Sequence, residues 1–129
     1  MTVMTPSDLL GEARALIARP DAATAGIWPR TSALLARQAM EQTVRTFWEA
    51  LPDTAGLAFA AMRSQLICLP FCLDVATADQ VAYTWAALSR ACHYHPYELA
   101  PIATELTGWI DDVESLVTEI ATGIRGTGS

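Results

Sequence analysis

Apolar residues recur along nearly the whole chain at intervals of three and four, and no segment alternates with a period of two. The clearest run is Ile102, Leu106, Trp109, Val113, Leu116 and Ile120, spaced four, three, four, three and four. Such spacing places every member on one face of an α-helix and suits close bundle packing. Asn-Gly hairpin signals are absent, as is any repeat of fixed period. The chain is therefore expected to be all-α: an antiparallel helical bundle of four to five helices, forming one domain over residues 1–129 with an ordered core from about 6 to 122.

The helix boundaries follow from local chemistry. Thr5 followed by Pro6 reads as a capping residue with proline in the first helical position, and Pro20 stops that helix. A second helix runs from about Pro29 to Leu51, with Ala36, Met40, Val44, Phe47 and Leu51 on one face. Arg37, Glu41, Arg45 and Glu49 form a second row at strict i, i+4 spacing, expected as a solvated charge ladder. Residues 51–56 read as a turn. Leu57 to Leu73 is apolar almost all round, which predicts a helix either central in the bundle or shared with a partner, kinked or shortened by Pro70. A fourth helix opens near Thr77 or Asp79, carries Val81, Trp85, Leu88 and Cys92 on one stripe, and ends near Pro96, which biases His95 away from helical geometry. Gly123 to Ser129 reads as a frayed tail.

Composition limits the function classes. Half of the 129 residues (52%) are hydrophobic, enough to fill a core, and fourteen acids against eight bases give a net charge of −6. That balance argues against a protein gripping nucleic acid over its whole surface, though not against a locally basic site. No run of apolar residues is long enough to span a membrane, and no basic-then-apolar leader opens the chain, so a cytoplasmic, soluble protein is expected. Cys68, Cys72 and Cys92 are an odd number in apolar surroundings, as reduced buried thiols would be.

The stretch with most chemistry is Ser89-Arg90-Ala91-Cys92-His93-Tyr94-His95-Pro96-Tyr97-Glu98. It holds both histidines of the chain beside an arginine. An imidazole moves protons near neutral pH, and a guanidinium binds phosphate and stabilises charge developing on it. Together they suit attack of a ribose 2′-hydroxyl on its neighbouring phosphodiester without a metal. The plainer reading is a helix end closed by capping and interhelical hydrogen bonds. Cys68, Cys72, Cys92, His93 and His95 offer tetrahedral zinc ligands in principle, although two cysteines four apart in an apolar helix are more simply small core side chains. Ser89, His93 and Asp111 have the residue types of a nucleophilic triad, but no strained elbow marks them. Asp111, Asp112 and Glu114 read as a solvated face, and Trp28, Trp48, Trp85 and Trp109 as core anchors.

Arg90, four residues, His95, one residue, Tyr97 matches the R-x4-H-x-Y motif of HEPN domains, and the chain resembles that family. The segment Arg37-Gln38-Ala39-Met40-Glu41-Gln42-Thr43-Val44-Arg45 is similar to the family's second-helix pattern of a Gln-Ala-x-Glu core followed by a basic position. Helix order agrees over roughly residues 6–122. The resemblance implies a metal-independent endoribonuclease, a toxin or defence component working as a homodimer, with Arg90 and His95 as the catalytic pair and RNA as substrate. His93 and Glu41 would be supporting residues, and no metal or other cofactor is implied. In one toxin–antitoxin branch a small nucleotidyltransferase antitoxin adenylylates the motif's tyrosine, here Tyr97. The resemblance equally admits a non-catalytic HEPN-like module that binds a nucleotide or a protein partner. This chain departs from many active members in carrying Ala91 after the arginine and a second imidazole at His93.

Overall fold

The computed structural model describes residues 3–18, 28–93 and 102–127, with side chains described as far as residue 123 in the last stretch. Five α-helices carry the fold: α1 (Pro6–Ala18), α2 (Trp28–Ala50), α3 (Met62–Cys68), α4 (Val75–Cys92) and α5 (Ala103–Thr127), with no strand among the described residues. The chain is an all-α helical bundle.

Helix α1 begins as its sequence demands. The backbone N–H of Thr5 donates to Asp8 Oδ2 at 2.9 Å, and the N–H of Asp8 donates to Thr5 Oγ1 at 3.1 Å. This reciprocal box satisfies two groups that the first helical turn would leave bare. Helix α4 is capped by Asp74, whose carboxylate accepts from the N–H of Thr77 at 3.1 Å, a little earlier in the chain than Thr77 or Asp79. The turn after α2 places Asp53 at φ 68°, a left-handed conformation that aspartate tolerates better than most residues.

Side-chain bonds fix the direction of each neighbour. Ser32 donates to the carbonyl of Ala13, and Gln42 to that of Met4, so α1 and α2 run antiparallel. Trp85 meets Glu41, with Cys92 in the field of Arg37 and Arg30, so α2 and α4 are antiparallel as well. Thr77 meets Glu119 across α4 and α5. Helix α2 touches α1, α4 and α5, and is the middle of the bundle. Its Ala33, Ala36 and Ala39 are fully buried and let neighbours approach, while Met40, Val44, Phe47 and Trp48 fill the core between them. Opposite them lie Leu9, Leu10 and Ala13 of α1, Val81 and Leu88 of α4, and Leu106, Ile110, Val113 and Ile120 of α5. Burying each large side chain stabilises the fold by roughly 1.5–3 kcal/mol.

Four expectations need correction. The central helix is α2, whereas Leu57 to Leu73 breaks into a 3-10 turn (Ala55–Phe59), α3 and a second 3-10 turn (Leu69–Phe71). The break falls at Ala60 and Ala61, both extended, with ψ 164° and 145°. Gln65, nearly fully buried, holds it there by donating to the carbonyls of Ala60 at 2.8 Å and Ala58 at 3.4 Å. Pro70 sits inside the second 3-10 turn, where its missing donor costs least. The apolar surplus of this segment points outward: Phe59, Ile67 and Phe71 are 90%, 67% and 86% exposed.

Among the cysteines only Cys92 is buried; Cys68 is half-buried and Cys72 exposed, because the segment carrying them lies on the surface. Asp111 and Glu114 are not merely a solvated face, since both pair with Arg14 of α1, and these bonds keep the Arg14 guanidinium charged, that to Glu114 contributing most. Finally, α5 continues through Thr127, past the glycine at 123 where a frayed tail was expected.

Candidate functional site

Helices α2 and α4 meet along a seam whose polar level is set by one bond: the indole N–H of Trp85 donates to Glu41 Oε2 at 3.1 Å. Glu41 was expected in a charge ladder with Arg37 and Arg45. That ladder does not form, because none of Arg37, Glu41, Arg45 and Glu49 makes an ion pair among the described residues. The position of α2 explains it. Arg37 and Glu41 are half-buried against α4 rather than solvated, while Arg45 and Glu49 stay exposed.

One turn along the seam from this bond lie Arg37 on α2 and Ser89 on α4. Arg37 Nε and Ser89 Oγ are both buried and have no hydrogen-bond partner. Further on, Cys92 is buried against α2. Burial pushes its thiol pKa up; Arg37 opposes this, Glu41 adds to it, and Arg30 opposes it. A thiol kept protonated in this way is a packing group rather than a nucleophile.

Arg90 lies in the last turn of α4, exposed and with no ion pair among the described residues. His93 closes the helix: its N–H donates to the carbonyl of Arg90 at 3.1 Å, and its imidazole is exposed. The two are three residues apart, and His93 is four from Ser89, so the three share one shoulder of the helix end. His95 and Tyr97 lie outside the described residues, as does the corner expected at Pro96. The described candidates at the α4 end are thus Arg90 and His93, next to Ser89 in the chain, whereas Glu41 is bonded to Trp85 more than a turn back along α4 and is not brought to them.

No family model matches the chain, and no curated protein or solved structure proves similar to it. The chemistry must be read from the side chains themselves.

Charge separates the two long sides of the bundle. Grooves along α5 are lined by Asp112 and Glu119 on one side and by Asp111, Glu114 and Glu119 with Arg14 on the other, acids outnumbering bases in each. The α2–α4 side presents Arg37, Arg90 and Arg45 against Glu41 and Glu49. Other constellations do not assemble. Asp111 is engaged by Arg14 and lies on a different helix from Ser89 and His93, which removes the triad. Among the described residues no three of the His, Cys, Asp and Glu side chains converge as a metal site. Cys68 and Cys72 belong to the surface segment before α4, whereas Cys92 lies at the far end of that helix. The described helices include none long and apolar enough to cross a membrane.

The Arg37–Ser89 pair and the Trp85–Glu41 bond were not singled out from sequence. Their one signal is arithmetical: 37 pairs with 89 as 41 pairs with 85, the constant sum of two antiparallel helices in register. That sum becomes visible only once one contact is known.

Proposed function

We propose that the chain is a HEPN-like, metal-independent endoribonuclease, a toxin or defence component that works as a homodimer, with Arg90 and His95 acting on the scissile phosphodiester. The observation that supports it is the state of Arg90. An arginine in the last helical turn has a structural use, as a cation facing the carbonyl end of the helix dipole. It has no need there to stand clear of carboxylates, yet in a chain with a net charge of −6 it is exposed and makes no ion pair among the described residues. A guanidinium in that state binds phosphate through charge-assisted hydrogen bonds. The exposed His93 lies beside it at the same helix end.

In this reading Arg90 holds the phosphate and stabilises the charge that builds on it. His95 takes the proton of the attacking 2′-hydroxyl, while His93 closes α4 and keeps the arginine in place. Tyr97 is the position at which a nucleotidyltransferase antitoxin would silence the enzyme.

Incubation of purified protein with total RNA in the presence of a chelator tests the reading. Cleavage is expected to persist without divalent metal and to fall at least about a hundredfold in both Arg90→Ala and His95→Ala, with helicity unchanged by circular dichroism. His93→Ala is expected to retain most activity and to cost on the order of 1 kcal/mol of stability. Absence of cleavage by wild-type protein under every metal condition, together with harmless overexpression, overturns the enzyme reading and leaves a non-catalytic binding module.

A further inference from the structure

We propose that Arg37 and Ser89 form an anion subsite on the α2–α4 seam that takes a phosphate group, the one adjoining the phosphodiester held at Arg90. This assignment rests on the reading of the α4 end as an RNA site for the identity of its ligand, and on the seam itself for its chemistry.

Three observations converge on the pair. Arg37 lies four residues from Glu41, its natural partner on the same helix face, but Glu41 accepts from Trp85 and Arg37 has no ion pair. Arg37 is half-buried, its Nε is closed off from solvent without a hydrogen-bond partner, and no carboxylate among the described residues pairs with its guanidinium. Ser89 presents the second observation: its Oγ is likewise buried and without a partner.

The third is register. In antiparallel helices, four residues back on α2 and four forward on α4 lead to the same level, so Arg37 stands opposite Ser89 as Glu41 stands opposite Trp85. The two orphan atoms are not bonded to each other. Nε–H can only donate, and the hydroxyl can donate too, so the group that satisfies both is an acceptor carrying more than one oxygen. A phosphate answers both needs and gives the unpaired guanidinium a counterion.

The seam closes over both atoms, so binding requires the half-exposed guanidinium to turn outward. That movement breaks no hydrogen bond at Nε or Oγ, since neither has one to lose. Ser89 immediately precedes Arg90, and His93 lies one turn beyond Ser89, so a phosphate at the seam and one at Arg90 fall on adjacent parts of a single helix end. Successive phosphates of one RNA strand fit that arrangement. A free nucleotide or inorganic phosphate offers the same oxygens, and a water molecule satisfies the two atoms without the charge.

The test is binding of a fluorescein-labelled 2′-O-methyl RNA, which cannot be cleaved through its 2′ position, followed by anisotropy over a range of salt concentrations. Arg37→Gln is expected to weaken binding about tenfold and to reduce the slope of log K against log salt by about 0.7, the value for one phosphate contact on a single strand. Arg37→Lys should restore the slope but not the full affinity, because it keeps the charge and loses the planar fork. Ser89→Ala should weaken binding a few-fold with no change in slope. In parallel, the Nε–H resonance of Arg37 is followed by NMR during titration with inorganic phosphate and with AMP. If Arg90→Ala lowers the salt slope and Arg37→Gln does not, the subsite is overturned and the RNA reading stands. If RNA fails to bind while phosphate or AMP shifts the Arg37 resonance in wild type, and less so in Ser89→Ala, the subsite stands and the RNA reading falls. An Arg37 resonance unmoved by every ligand assigns the seam to water and overturns the proposal.

Discussion

Where α4 begins, the molecule shows solvent the apolar side chains of Phe59, Ile67 and Phe71; where α4 stops, it shows Arg90 and His93, with Arg37 across the seam. Eighteen residues of helix separate these regions, about 27 Å at 1.5 Å per residue. The first region supplies its bent backbone with hydrogen bonds, although Gln65 Oε1 is itself buried without a partner, and leaves its apolar groups uncovered. Gln65 spends its amide on two carbonyls so that the chain can bend, and the phenylalanines are left outside. The second does the reverse: Cys92, Leu88 and Ala91 are packed away, while a guanidinium nitrogen and a hydroxyl are buried without partners. One end has met its backbone requirements at the expense of hydrophobic burial. The other has completed its packing and retains an unmet electrostatic demand, as a binding site does.

That contrast can be broken by substitution. The largest effect on stability is expected at the apolar end, from Gln65→Ala. Removing the amide leaves the carbonyls of Ala58 and Ala60 without their donor in a buried setting, at a cost of about 2 kcal/mol. Chemical denaturation measures it, and a loss below a few tenths would show that the bend is held by other means. At the polar end Glu41→Ala should cost about 1 kcal/mol, since one hydrogen bond to the indole of Trp85 is lost. Glu41→Gln keeps an acceptor there and should cost less, while also removing the carboxylate nearest to Arg37 on its own face. Smaller still, the paired change Phe59→Ser and Phe71→Ser should alter stability by no more than about 0.5 kcal/mol, both rings being already in water. Sedimentation of this variant sharpens the comparison. A dimer built at the α4 C-terminal end survives the change, and a dimer built on the phenylalanines does not.

The smallest effect concerns pH. Asp8 accepts from the N–H of Thr5, its largest influence, and from the Thr5 hydroxyl, which together hold its carboxyl below the usual carboxylate range. A depressed folded-state pKa contributes stability that is fully present above the unfolded value and is lost as pH falls through the folded one. The stability difference between wild type and Asp8→Asn should therefore be constant above about pH 5 and narrow below about pH 4.

Much of the fold could be read from periodicity because helices α1, α2, α4 and α5 each bury one stripe. Thr5-Pro6, the stop before Pro20, the row from Ala36 to Phe47 and the row from Leu106 to Ile120 are all local signals with local causes. The segment from Leu57 to Leu73 resisted for the opposite reason. Its apolar residues have no dominant face, and the residue that decides its path, Gln65, acts on carbonyls five and seven residues earlier, which no periodic pattern encodes. The ladder from Arg37 to Glu49 failed for a tertiary reason: Trp85, forty-four positions away, is the better partner for Glu41. At the candidate site the sequence located Arg90 in the last turn of α4, although it carried the helix on toward Pro96, past its end at Cys92. It named Arg37 for a charge ladder and Ser89 for a triad, but not their placement opposite each other, which depends on the tertiary register of α2 and α4.

Helix α1 buries only Leu9, Leu10 and Ala13, the smallest set among the four long helices, and is held by one buried serine bond and by surface ion pairs through Arg14. Exposed ion pairs contribute at most about 1 kcal/mol each. The amide protons of α1 should consequently exchange with solvent faster than those of α2, through partial openings in which the first helix leaves while the other three remain packed. Each such opening further uncovers the half-buried Glu41 and Gln42, which with the already exposed Gln38 and Arg45 are bordered by Val3, Met4 and Leu9. The N-terminal helix is thus the cheapest hinge in the molecule, and its departure uncovers the flank of α2 that adjoins the Trp85–Glu41 bond.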